Sequence, residues 1–227
     1  MDRKETYGHA FVLLAASAAA QAGMAADDLL GRAAGTFDRW FWDGPAGLGL
    51  DSWDRARAAP DACRGLNANM HAVEAFLGAY AATAQPSFLR RARSISARVI
   101  GFAGAARWRI PEHFTPDWKP LPGYNVSRPA DGFRPFGTTP GHGVEWARLL
   151  LLLRLVPGTG RDGLLTAATA LFGRAVADGW DAAPAQPPAM LTSQLMPNLS
   201  VHMPKTSPHG AGPSGMVWVP PAASLSQ

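Results

Sequence analysis

Apolar side chains recur every three to four positions over six stretches of the chain, 7–22, 26–42, 66–83, 86–103, 141–156 and 162–180. That spacing gives a helix one apolar face, so the pattern predicts six α-helices. Only a few residues separate the first stretch from the second and the third from the fourth, and joints that short make antiparallel helical hairpins. Pro86 stands where a helix opens and its missing N–H costs nothing, while Gly23 and Gly158 punctuate helix ends. Two connections, 43–65 and 104–140, are longer and rich in Gly, Pro and aromatic residues. They predict packed loops over a cavity mouth, since loops of that length commonly carry function.

The predicted helices are of two alternating kinds. Leu29, Leu30, Ala33, Phe37 and Arg39 match Leu164, Leu165, Ala168, Phe172 and Arg174 at one constant offset of 135 positions, without a gap. Leu89, Ala92 and Arg98 match Leu30, Ala33 and Arg39 at an offset of 59. The second kind repeats as well, His71, Val73 and Glu74 matching His142, Val144 and Glu145 at an offset of 71. Ala/Leu/Arg-rich helices align by chance too, but a repeated hairpin cannot bury its apolar face without a neighbour. The alternation therefore predicts an all-α toroid or solenoid of about three hairpins, half of a closed ring of six. Beyond Asp181 the pattern stops, with many Pro, Ser, Gly and Met residues and almost no acid. Two units are expected, a helical domain over 1–181 and an irregular tail over 182–227. The tail reads as a linker or as the out-of-frame translation of a GC-rich gene, with the frame lost near Asp181.

Composition narrows the classes. With 47% apolar and 17% charged residues the chain can bury a sizeable core. The net charge of +4 comes from scattered arginines, without the basic blocks or interleaved aromatics that nucleic acid needs, so no nucleic-acid partner is expected. A single cysteine, Cys63, rules out an internal disulfide framework and fits a reducing compartment. The small apolar residues after Phe11 resemble a signal sequence only superficially, and they are too few to span a bilayer. A cytoplasmic protein with no membrane association is expected.

Two clusters carry candidate chemistry. Asn67, His71 and Glu74 are four and three apart and share one helical face, and His142 and Glu145 are again three apart after Thr139, Pro140 and Gly141. A carboxylate one turn away orients an imidazole and raises its pKa, which suits a proton carrier near neutral pH. The same pairs also serve as satisfied polar contacts on buried helices. A di-metal reading needs more acids than these helices offer, since Asn67 and Thr139 stand where they would be wanted, so no metal is expected. Tyr7 and His9 open the first helix, and the second long loop holds Trp108, His113, Phe114, Trp118, Tyr124, Phe133 and Phe136, with Arg134 before Pro135. Aromatic faces and a fixed guanidinium suit sugar rings and hydroxyls, although such loops also act as plain lids.

Four sequence words, YGHAFVLLA from Tyr7, NANMHAVEAFLGAY from Asn67, RIPEHFTPDWKP from Arg109 and FRPFGTTPGHGVEWARLLL from Phe133, together resemble the N-acylglucosamine 2-epimerase family. That family includes mannose and related aldose-ketose isomerases, and the likeness runs from about Tyr7 to Trp180. It implies part of an (α/α)6 barrel around a sugar-sized pocket, with proton transfer next to a carbonyl through an enediol or enediolate. On the resemblance, His142 is one of two catalytic histidines, supported by Glu145, and Tyr7, Asn67, His71 and Arg134 bind substrate. No metal or redox cofactor is implied, the partner is a small-molecule sugar, and full-length relatives allow a homodimer. Family members extend further at both ends, and His202 and His209 lack the context of the second catalytic histidine. The chain alone is therefore expected to be inactive and poorly soluble. The alternative is a non-catalytic helical-repeat remnant that binds sugar or a protein partner.

Overall fold

The computed structural model describes residues 3–132, 134–158 and 161–180, except for the side chains of residues 161 and 162. The tail expected over 182–227, with His202 and His209, lies outside the described residues.

Six helices are described: α1 (Thr6–Gln21), α2 (Asp27–Trp40), α3 (Leu66–Thr83), α4 (Pro86–Ala105), α5 (Pro140–Leu155) and α6 (Arg161–Gly179). α1 pairs with α2 and α3 with α4, as the short joints predict, and α5 pairs with α6. Helices α1, α3 and α5 also pack on one another in a row, with α3 in the middle, while α2, α4 and α6 form an outer layer. Helix α3 buries Leu66, Met70, Val73 and Phe76 to the last few per cent. It carries one charged residue, Glu74, as befits a helix covered on most sides. A single apolar core runs from Ala10 to Leu171, with Trp146, Phe37 and Phe76 among its largest side chains.

The two long connections are more ordered than packed loops alone. They contribute short strands β2 (Trp42–Asp43), β3 (Leu48–Gly49), β4 (Ser52–Asp54), β5 (Arg64–Gly65) and β6 (His113–Phe114), and β1 (Arg3–Glu5) precedes α1. These form three two-stranded antiparallel ribbons: β1 with β4, β2 with β3, and β5 with β6. The register sets Glu5 against Ser52 and Gly65 against His113. Strands of two or three residues show no alternation in the sequence, so only their long-range pairing reveals them.

Two ribbons lead into an inner helix, β1 into α1 and β5 into α3, and the third is tied to the start of α3 by Asn69. Thr6 N–H donates to the Asp51 carbonyl at 3.0 Å, and the Leu66 N–H donates to the Glu112 carbonyl at 3.3 Å. Asn69, fully buried, accepts from the Gly49 N–H at 2.7 Å and donates to the carbonyls of Gly49 and Gly65 at 2.9 and 2.8 Å. At Gly143 a methyl group would lie 3.0 Å from the Ala175 Cβ, so the glycine lets α5 and α6 approach closely beside His142.

Candidate active site

The first turns of α1 and α3 and the loops above them enclose an open hollow of about 610 Å³, solvent at its mouth included. Its wall includes Tyr7, Asp51, Asn67, Glu112, His113 and Arg134. Three of the residues singled out in the sequence, Tyr7, Asn67 and Arg134, thus share one cavity. The other three stand immediately behind it. The His71 ring meets the Tyr7 ring edge-on at 4.9 Å and Phe11 at 4.8 Å. His142 touches the wall residue Glu112, and Glu145 lies close enough to Tyr7 to reinforce the effect of burial in raising the phenol pKa.

The segment 109–114 stitches the site together. The Arg109 guanidinium donates to Asp178 Oδ1 at 2.8 Å and forms an ion pair with Oδ2 at 2.8 Å, fastening the segment to the end of α6. His113 and Phe114 pair with β5 ahead of α3. Between these anchors Glu112 turns inward, its side chain 2% exposed. The imidazole Nδ1 of His142 lies 2.9 and 3.0 Å from the two Glu112 oxygens, and the Thr139 N–H donates to Oε1 at 3.1 Å. His113 Nε2 lies 2.8 Å from the Pro135 carbonyl, and its ring lies 4.5 Å from that of Tyr124.

The carboxylate in direct contact with His142 is Glu112, while Glu145 acts on the ring from a distance. Side chains on a helix lean towards its N-terminus. From the first turn of α5, His142 therefore reaches back into the preceding loop, while Glu145 sits a turn further along. Burial works to lower the His142 pKa, but the charge and hydrogen bond of Glu112 outweigh it, with a smaller contribution from Glu145, and the pKa rises above its ordinary value.

The other pair holds as the spacing implies, though loosely. His71 Nδ1 and a Glu74 oxygen are 3.6 Å apart, an ion-pair distance too long for a hydrogen bond. His71 beside it holds the Glu74 carboxyl below its usual range, against burial and with help from Arg148, which donates at 3.0 Å from α5.

Arg134 is held rigidly. Its Nη2 donates to Asp51 and Asp61 at 2.8 Å each, and Nη1 donates to the Tyr124 hydroxyl at 3.1 Å. Asp61 also pairs with Arg3. Burial tends to raise the Asp61 pKa, but hydrogen bonds from Arg134 and the Cys63 N–H, with the charges of Arg134 and Arg3, bring it down to about 2. In Asp51 burial prevails over Arg134 and the pKa is raised. Among the described residues, no group of three or more His, Cys, Asp or Glu is arranged to hold a metal ion, and no helix is long and apolar enough to cross a membrane.

Sequence reasoning missed Glu112 and Asp51. The signal for Glu112 was present, an acid between Pro111 and His113 in one of the four words, but its partner is 30 residues away.

A family model described as N-acylglucosamine 2-epimerase matches residues 1–194. The chain belongs to that family. A D-mannose isomerase of Thermobifida fusca is 46% identical over 181 residues, covering 79% of this chain and 44% of the relative. One of Pseudomonas cannabina pv. alisalensis is 46% identical over 184 residues, with 78% and 44% covered. A crystal structure of a D-mannose isomerase superposes with a TM-score of 0.75 at 35% identity, over 80% of this chain and 46% of the other. A cellobiose 2-epimerase of Spirochaeta thermophila shares the fold, with a TM-score of 0.63 at 18% identity. The chain spans under half the length of the relatives it matches, and its three hairpins are part of the epimerase family's (α/α)6 barrel.

Proposed function

We propose that this chain is the part of a sugar isomerase that carries its cavity wall and one proton-transferring histidine, and that the complete barrel interconverts an aldose and a ketose of the mannose–fructose type. The observation that carries the reading is the buried His142–Glu112 pair directly behind a polar hollow. The 46% identity to D-mannose isomerases favours isomerisation over epimerisation of an N-acyl sugar.

In this reading the imidazole of His142 takes the proton from C2 of the open-chain aldose. O1 gains a proton to complete the enediol, and a proton then goes to C1 as O2 loses its own and becomes the ketose carbonyl. An imidazole whose pKa is tuned by neighbouring acids suits both halves of that exchange. Glu145 adds negative charge near the ring, and Tyr7, Asn67, His71 and Arg134 hold sugar hydroxyls. His113 joins them, because it stands in the same wall. No metal or redox cofactor enters the scheme.

The reading places the enzyme in the cytoplasm, supported by the lone free thiol of Cys63, and takes a homodimer of complete chains as its assembly on family likeness alone. It assigns no turnover to the 227-residue chain by itself. The test joins residues 1–180 to the C-terminal half of the Thermobifida fusca D-mannose isomerase and follows the conversion of mannose to fructose. Turnover that disappears in His142→Asn supports the reading. A folded chimera that is inactive, or one indifferent to His142→Asn, overturns it.

A further inference from the structure

We propose that Glu112 is the positioning residue of the site: it fixes which nitrogen of His142 carries the proton and locks the ring to the start of its own helix. The inference rests on His142 being the proton carrier, and deepens that reading.

Both Glu112 oxygens lie on the same side of the imidazole, 2.9 and 3.0 Å from Nδ1. An ionised carboxylate only accepts hydrogen bonds, so Nδ1 is the donor and Nε2 holds the lone pair of the neutral ring. Nε2 is then the atom that takes the sugar proton.

The carboxylate has a second task. Thr139 is the N-cap of α5 yet makes no side-chain capping bond, and its N–H donates to Glu112 Oε1 at 3.1 Å instead. A carboxylate there also complements the positive end of the helix dipole. One acid thus holds both the ring and the backbone three residues before it, so that the ring cannot turn independently of α5. The acid itself cannot drift. Arg109 is fastened to Asp178 three residues before it, Glu112 C=O accepts from the Leu66 N–H, and His113 pairs with Gly65 just after it. The nearby guanidinium of Arg134 is already engaged by Asp51 and Asp61, which leaves Glu112 to the imidazole and the helix end. The acid that the helical spacing suggested, Glu145, has no such anchorage to the ring.

The test is nitrogen-detected NMR of ¹⁵N-histidine-labelled protein, with the His142 signals assigned from His142→Asn. The neutral ring is expected as the Nδ1–H tautomer; an Nε2–H tautomer in the unmutated protein overturns the proposal whatever any variant does. Glu112→Gln is expected to lower the proton affinity of His142 by roughly tenfold or more and to mix the tautomers, Glu112→Asp to recover part of both, and Glu145→Gln to leave the tautomer unchanged. An unaltered His142 titration and tautomer in a folded Glu112→Gln protein also overturns it. In the completed barrel Glu112→Gln should lower kcat about 10²-fold at nearly constant KM and move the pH profile to lower pH. If the isomerase reading itself fails, turnover is absent while the tautomer stays as expected. If only the positioning role fails, turnover survives Glu112→Gln.

Discussion

The Nδ1 atom of His142 lies 2.9 Å from Oε1 of Glu112, a residue 30 positions earlier in the chain, in the connection that leads into α5. That contact joins the connection after α4 to the first turn of α5, and much of what the molecule should do under perturbation follows from it.

The first consequence is a dependence of stability on pH. The folded-state pKa of His142 is raised above its unfolded value, so protonation stabilises the fold. The contribution is complete below the unfolded pKa and is lost as pH rises through the folded one. Urea midpoints should therefore fall across that window, and the fall should shrink in His142→Asn.

Asp61 works in the opposite direction. Its carboxyl is held at about 2 against an ordinary value of 3.8, so its contribution is present above the ordinary value and is lost as pH falls towards 2. Asp61→Asn should flatten the acid limb of the stability profile. Arg134→Ala should destabilise by about 2 kcal/mol, since it strips charged hydrogen bonds from two half-buried acids; chemical denaturation measures both.

Asn69 is a structural staple two residues from the cavity residue Asn67. Its three hydrogen bonds join β3 to the start of α3 with no solvent exposure. Asn69→Leu should cost about 3 kcal/mol because it leaves buried backbone groups without partners, whereas Asn67→Ala should cost little. Equilibrium unfolding of the two variants gives the comparison.

Along α6, Leu165, Phe172, Val176 and the following Trp180 are 38 to 71% exposed, and Leu151 and Leu155 are 43 and 68% exposed on α5. At helical spacing these make apolar stripes where a further hairpin of the barrel would pack. Replacing Leu155 and Phe172 by Glu should raise soluble yield and reduce the binding of a hydrophobic dye, with helical circular dichroism unchanged.

The helices were legible because their signals are local. Residues 66–83 were readable to the residue, bounded by Gly65 before and by Ala84, which adopts left-handed backbone at φ 55, after. The pairing of the first two hairpins followed from joint length. The ribbons and the partner of Glu112 were not legible, since a strand of two residues has no period and the partner of a loop acid is set by how elements converge in space. The cavity residues Tyr7 and Asn67 were found from helical spacing and family likeness together. The carboxylate in contact with His142 escaped notice because spacing along one helix, which pointed to Glu145, says nothing about what a neighbouring loop brings to it.

The most direct measurement follows the C2 proton of mannose by ¹H NMR in D₂O, using the chimera that completes the barrel. The account predicts loss of that signal with the parent sequence, and loss slowed by about 10³-fold in His142→Asn at unchanged helicity. Exchange at the parental rate in His142→Asn would contradict it.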